Sequence, residues 1–492
     1  MINENIPNGW GLSTLGEVCT QPQYGYTTSG VAVGTLKLLR TTDITSGAID
    51  WNTVPFCLEN PVDENKYLLK DGDIVISRAG SIGVSYLLKN PEKSVFASYL
   101  IRFRPLIDNH FFKYFLDSPY YWQQISENKL GIAIPNVNAS KLQSISLLLP
   151  PLSEQKRIVA KIEELFSELE SGIKSLKTAR EQLKVYRQAV LKHAFEGTLT
   201  ARWREQNKDK LESANRLLRR FQTYSSSNFA FNPREAADLP EIPSEWLYTR
   251  LENVGFLGRG KSKHRPRNDK KLFGGKYPFI QTGEIKAANR VVREFSQTYS
   301  DFGLQQSKLW PAGTLCITIA ANIAETAFLG FDACFPDSIV GFTPVEDLIL
   351  PEYVELFIKS VRARIEAYAP ATAQKNINLT TLENLIIPLC SLEEQRVIVR
   401  QLEATFTRID NCESEIEINL QKSEALRESI LKKAFSGKLV TQDSNDEPAS
   451  VLLERIRTEK ETYLANNKSR HQKDVNSNDE YAQDYLIEEA AI

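Results

Sequence analysis

A heptad pattern occurs twice in this chain, 240 residues apart, and it limits the possible folds more than any other feature. In the first copy Ile162, Leu169, Leu176, Leu183 and Val190 recur every seven residues. Ile158, Leu165, Ala179 and Tyr186 supply a companion seam, with Gly172 as its one gap. Apolar side chains at two heptad positions make a helix that buries a narrow stripe against another helix. Pro150 and Pro151 block any helix upstream, Ser153 is a candidate N-cap, and Gly197 can close the helix in the left-handed conformation. From Glu154 to Gly197 such a helix is about 65 Å long, more than a small domain uses internally. The second copy runs from Glu394 to Gly437 on the same frame without an insertion. Glu154/Glu394, Gln155/Gln395, Phe166/Phe406, Ala194/Ala434, Phe195/Phe435 and Gly197/Gly437 match. Ser391 and Glu394 stand at capping-box spacing. Its seam reads Ile398, Leu402, Ile409, Ile416, Leu426 and Ile430, weakened by Thr405, Asn419 and Ser423. The natural partner of each helix is the other.

The duplication extends beyond the helices. Pro7, Trp10, Leu15 and Val18 return as Pro243, Trp246, Leu251 and Val254. LLRTTDI (38–44) returns as FIQTGEI (279–285), and GDIVISRAGSIG (72–83) as GTLCITIAANIA (313–324). AIPNVNASKLQSI (133–145) returns as AQKNINLTTLENL (373–385). The chain therefore divides into a first globular head (1–150), a long helix (151–200), a linker with a short amphipathic helix (201–242), a second head (243–388), a second long helix (389–440) and a polar tail (441–492). Within the first head 36–44 and 73–78 read as strands, 111–125 as a helix pair and 144–150 as an apolar strand. In the tail 448–459 reads as one amphipathic helix, and 466–492 has a disordered composition. Heads that diverge on a preserved frame imply two similar tasks on different targets.

Composition removes several function classes. With 492 residues, 42% hydrophobic and 25% charged, the chain reads as an ordinary soluble protein of several units. No apolar run approaches a membrane span, and the N-terminus has no signal-peptide pattern. Six cysteines never fall as CxxC and there are four histidines, which disfavours a disulfide framework or structural zinc and suits the cytoplasm. A net charge of −2 means that any polyanion must be held by local patches.

One such patch is the run from Arg259 to Lys276, with eight Lys/Arg and one Asp in 18 residues. Such a run is often only solvated surface. This one is broken by Gly and Pro266 and leads directly into a strand, which points to nucleic-acid contact. The candidate contacts in the second head are Arg259, Lys261, Lys263, His264, Arg265 and Arg267, then Gln281 and Thr282, and finally Lys375 and Asn376. The equivalent loop of the first head, QYGYTTSG (23–30), is polar and aromatic and offers Tyr24, Tyr26 and Thr27. Arg40, Thr41, Arg78, Ser81 and Asn136 complete that set, with Lys141 beyond them. Arg40 and Gln281 share one frame position, and their types suit guanine and adenine edges respectively.

Two other motifs fail on context. GFLGRGKS (255–262) satisfies the P-loop expression, but KHRPRNDKK follows where a helix should start. Asp269 with Glu284 and Lys286 imitates a nuclease D…ExK, but Glu284 matches Asp43 and reads as part of a shared turn. No convincing Ser/His or Cys/His set is present, and no NPP[FY] methyltransferase motif.

PxxW unit starts, GDIVISRAGSIG, PPLSEQKRIVAKIEELF, LKHAFEGTLTARWR and LKKAFSGKL, twice over and in order, resemble the specificity subunits of type I restriction–modification systems. The likeness spans residues 1 to about 460. It implies an α+β fold: a tandem duplication of two globular α/β target recognition domains joined by two long antiparallel coiled-coil helices. It implies that each recognition domain reads one half of a split, asymmetric DNA site. The helices would act as spacer and as docking surface for two methyltransferase subunits, with restriction (motor) subunits joining through the complex. It also implies a non-catalytic chain that binds no cofactor, with S-adenosylmethionine, ATP and Mg on the partners. The second head departs from the pattern with ITIAANIAE, and LVTQDSNDEP follows the second helix in place of LTxxWR. A coiled-coil adaptor whose heads bind protein is the competing class, and it would lack salt-sensitive affinity for duplex DNA.

Overall fold

The computed structural model describes residues 6–129, 137–213, 216–217, 219–220, 239–320, 322–367 and 377–462. Its chain forms two compact units, Met1–Leu176 with Ile418–Ile492, and Lys177–Glu417. The duplicated helices span Leu152–Phe195 and Leu392–Ala434. Each unit therefore holds one head, the first half of the helix that follows it and the second half of the other helix.

In the first unit, Gly11–Thr14 pairs antiparallel with Ser146–Leu149, closing the head where the long helix begins. One four-stranded sheet contains Gln23–Tyr24, Leu100–Phe103, Ile74–Ser77 and Ser85–Leu87, in that order. A second contains Gly30–Val31, Phe56–Cys57, Lys37–Leu39 and Ser94–Phe96. The aromatic stretch forms the expected pair of helices, Asn109–Leu116 and Pro119–Lys129. In the second unit Leu247–Arg250 pairs with Ile386–Leu389 in the same closing role. A five-stranded and a four-stranded sheet fill the head, and the helix Pro351–Ala367 packs on the five-stranded one.

The stretches 36–44 and 279–285 are strands only at their starts. Leu39 and Phe279 end the strands, and Thr41–Ile44 and Thr282–Ala287 are helical turns. Asp43 accepts the Arg40 N–H at 2.8 Å and Glu284 accepts the Gln281 N–H at 2.7 Å. A carboxylate at N3 reaching back to the residue before a helix satisfies an orphan donor and starts the turn there.

The repeated Glu-Gln pair is a stitch between helix and head, outside the heptad logic. Gln155 donates to the Pro150 carbonyl and accepts the Asp108 N–H, at 2.9 and 3.2 Å. Gln395 donates to the Cys390 and Leu348 carbonyls and accepts the Leu350 N–H. Both glutamines are fully buried, where an unmet amide would cost ~1–3 kcal/mol. At the far ends Phe435 packs against Phe111 and Phe115, and Phe195 against Tyr353 and Phe357. Gly197 and Gly437 have φ of +78° and +69° where the helices stop, and a Cβ there would run into Pro243 or Pro7. The tail helix, 449–462, puts Ala449, Leu452, Leu453 and Ile456 into the core of the first head.

Three sequence expectations about the long helices need correction. The first helix starts at Leu152, so Ser153 lies inside it and caps nothing; in the second helix the Glu394 N–H does donate to Ser391 Oγ. Glu394 does not complete the capping box, because its carboxylate points into the head instead. The companion seam starts where the heptad reading places it, with Ile158 buried and Leu165 packed on the core, but in the distal half of each helix it shifts one residue later. Tyr186 and Leu426 are exposed, 53% and 51%, and Arg187 and Arg427 stack over Phe406 and Phe166, 5.0 and 4.3 Å from the ring centroids. A guanidinium over an aromatic face is attracted to the ring while its charge stays partly in water, so a hydrophobicity pattern, which counts arginine as polar, passes over it. In the second unit Arg180 faces Glu417 and Arg187 faces Asp410 and Glu413, an order that makes the helices antiparallel. Arg427 meets Glu170 in the first unit, the same pair shifted by 240 residues.

Candidate nucleic-acid interface

In each head one turn of backbone gathers the candidate loops. In the first head this is 96–100. The Phe96 carbonyl accepts the Tyr26 N–H, the Leu100 carbonyl the Gly25 N–H, and the Tyr99 carbonyl the Arg78 N–H. The Ala97 N–H donates to Leu39, the residue before Arg40. Tyr24–Tyr26, Arg40 and Arg78, scattered in sequence, therefore emerge side by side. The Arg78 guanidinium lies 5.1 Å from the Tyr24 ring, and the Tyr24 hydroxyl accepts the Ala139 N–H at 2.9 Å. Arg40 is aimed by Asp43, whose carboxylate accepts its Nε–H and Nη2–H at 3.1 and 2.8 Å; that contact raises the arginine pKa. Thr27 and Ser81 are exposed, while Thr41 has a buried, unbonded Oγ1. Tyr99, 62% exposed at the centre of the set, has no signal in the sequence.

The second head repeats the device with 334–339. The Gly260 N–H donates to the Ile339 carbonyl, the Ile280 N–H to Cys334, and the Ile319 N–H to Ser338. This places the basic loop beside Gln281 and Thr282, and Gln281 donates its amide to Gln297 at 2.9 Å. Much of the loop's positive charge is spent holding the loop itself. Arg259 Nε donates to the Asp337 carbonyl and Arg267 pairs with the Asp337 carboxylate at 3.0 Å. Arg265 donates to the Ser262 and His264 carbonyls. His264 meets Asp269 at 2.8 Å, and Asp269 sits below the usual carboxylate range because it accepts the Lys271 N–H and faces that imidazole. Lys261 and Lys263 are exposed and have no ion pair among the described residues. Arg259, Arg265 and Arg267 thus shape the loop, and the two lysines are left exposed on it. Asn136, Lys375 and Asn376 lie outside the described residues.

The two decoy motifs resolve here. Gly255–Arg259 of the P-loop expression is a strand paired with Ile339–Pro344, and no helix follows it; the next element is the short turn Lys270–Leu272. Glu284 accepts from the Gln281 N–H and from Ser296 N–H and Oγ–H, so both oxygens serve the turn. No group of three or more His, Cys, Asp or Glu side chains is arranged to hold a metal among the described residues. No helix among the described residues is long and apolar enough to cross a membrane.

The family model for the type I restriction modification DNA specificity domain matches twice, over residues 7–177 and 243–422. This chain belongs to that family. Among its relatives is the EcoKI specificity subunit of Escherichia coli K12, 25% identical, with 92% of this chain and 96% of that one covered. The StySPI specificity subunit of Salmonella potsdam is 23% identical over 94% of this chain and 97% of its own length. The specificity (HsdS) subunit of Thermoanaerobacter tengcongensis, solved as a crystal structure, shares the fold with a TM-score of 0.56 at 18% identity, covering 89% of this chain and 99% of that one. A chain from a study of complex assembly in a type I restriction–modification system superposes at 0.65, also at 18% identity, over 89% of this chain and 100% of its own. Each match of the specificity model covers one head and the first part of the long helix after it, so the duplication is one of specificity domains.

Proposed function

We infer that this chain is the non-catalytic DNA-reading subunit of a type I restriction–modification complex, each head recognising one half of a split, asymmetric site. The observation that carries this is the pairing of a repeated frame with unlike loops: a Tyr/Arg surface in one head and a lysine-bearing loop in the other, each gathered by the same kind of backbone turn. B-DNA has local two-fold symmetry, so related heads on antiparallel helices would face their half-sites in opposite senses. Unlike loops would make the site asymmetric, and the helix pair would set the unread gap and dock two methyltransferase subunits. S-adenosylmethionine, ATP and Mg would then sit on methyltransferase and motor subunits. Comparing genome-wide methylation with and without this subunit tests the reading: a bipartite motif should vanish with it. The purified chain alone should neither methylate nor cut DNA, and turnover in a partner-free preparation would refute the non-catalytic assignment.

The lysine-bearing loop should bind backbone more than it reads bases. Lys261→Ala or Lys263→Ala should weaken every sequence about equally and flatten the salt dependence by about one unit each. Arg40→Ala should instead cost ~1–3 kcal/mol and relax only the half-site read by the first head. Binding titrations at several salt concentrations on matched and mismatched duplexes separate the two, and a half-site-specific collapse for Lys261→Ala would make that loop a base reader.

A further inference from the structure

Lys308 was no candidate in the sequence, yet its ammonium is set against two aromatic rings beside the basic loop. It precedes the strand Leu309–Trp310, and its ammonium lies 3.6 Å from the Trp310 ring centroid and 4.7 Å from that of Phe256. Trp310 cannot move: it is buried and stacked on Phe335 at 5.1 Å, and a Cβ at Gly258 or Gly341 would meet it at 2.8 Å. Phe256, by contrast, is 58% exposed and forms the outer wall. The Lys263 N–H donates to the Gln306 carbonyl, so the basic loop runs alongside. Lys308 forms no ion pair among the described residues, and burial and the charge of Lys261 push its pKa down. Lys261 and Lys308 thus lie near each other, and neither has a carboxylate partner among the described residues.

We propose that Lys308 is a specificity-determining residue of the second head, donating to a guanine edge in the major groove, with Phe256 as an apolar wall beside the base. The proposal rests on the reading of this head as a DNA-binding unit. Lys261 and Lys263 lie on an exposed loop and can follow any phosphate. Lys308 is held against two adjoining rings, Trp310 and Phe256, whose centroids are 6.1 Å apart, and a donor with a fixed direction is what discrimination between base edges requires, with guanine O6 and N7 the pair of acceptors that lysine most often meets. The frame supports this. Lys308-Leu309-Trp310 aligns with Tyr67-Leu68-Leu69, and Tyr67 in the first head packs against Tyr26, another candidate, at 5.3 Å. One frame position thus has a tyrosine in one head and a lysine in the other, as expected where specificities diverge.

The test uses the chain assembled with its methyltransferase subunits, on a library of duplexes randomised in the half-site read by residues 243–388. Lys308→Met keeps the apolar stem over Trp310 and removes the charge; Lys308→Arg keeps a guanine-compatible donor. Lys308→Met should lose roughly ten- to a hundredfold of the preference for guanine at one position, leaving the other half-site and the melting temperature unchanged. Lys308→Arg should retain guanine there. An even loss over all bases with a shallower salt dependence would make Lys308 a phosphate contact and overturn the proposal, as would an unchanged preference. If the unsubstituted complex selects no sequence in that half-site, the underlying reading fails, and this inference with it.

Discussion

Four residues inserted between Gly172 and Ala179 of the first long helix should widen the gap between the two methylated half-sites by one or two base pairs. Four residues add about 6 Å and a little over one turn, so the seam is nearly re-registered. Base pairs rise ~3.4 Å each, so the length corresponds to about two of them. The site suits an insertion, because a Cβ at Gly172 would meet nothing within 4 Å. It is bracketed by pairs that would hold the helices together on either side: Arg427 with Glu170 and Phe166 in the first unit, and Arg180 with Glu417 in the second. Only one of the two helices grows, so sliding or a local bulge absorbs part of the change. The half-site sequences should stay as they were, since no reading residue moves within its head. A methylome of cells carrying the lengthened subunit gives the gap directly. An unchanged gap in an active enzyme would show that the helices do not set it.

The frame was legible in the sequence because it is written in periodicity and in repeated residues with one steric role. The helix ends follow from Pro150-Pro151 and from Gly197 and Gly437, whose left-handed φ excludes a side chain without strain. Glu284 is legible as the counterpart of Asp43, because a carboxylate three residues into a turn has a local job visible in one dimension. The distal part of the companion seam is missed because Arg187 and Arg427 set their guanidinium groups over Phe406 and Phe166, and a hydropathy pattern counts them as polar. The site was legible only in outline. Charge density located the basic loop, but which cations hold the loop depends on Asp337, some 70 residues away. Tyr99 and Lys308 leave no trace because it is backbone turns and ring stacks joining distant segments that bring them beside the candidate loops.

Neutralising the two equivalent glutamates at the starts of the long helices should have opposite consequences. Glu394 is buried and accepts from Trp246 Nε1 at 2.9 Å, from Thr200 Oγ1 at 2.6 Å and from Arg204 Nη1 at 2.6 Å. Arg204 is itself largely buried, so Glu394→Gln leaves its charge without a counter-ion, and breaking such a pair costs ~3–5 kcal/mol. At the same frame positions after the second helix stand Val440 and Ser444 in place of Thr200 and Arg204. Among the described residues Glu154 accordingly bonds only Trp10 Nε1, at 3.0 Å, and its other oxygen is buried without a partner. Burial raises its pKa above the usual carboxylate value, outweighing the opposing Trp10 bond and the charge of Arg157. A raised folded-state pKa means that the native state holds the proton more tightly than the unfolded chain does. Stability therefore falls as pH rises from the ordinary glutamate value, ~4.3, through the raised one, and is flat above it. Glu154→Gln keeps an acceptor for Trp10 and abolishes that loss, so near pH 7 it should be neutral or mildly stabilising. Urea denaturation of the two variants at pH 5 and pH 7 decides the matter. Equal losses from both substitutions would show that Arg204 contributes nothing to the second junction beyond what Trp10 alone supplies to the first.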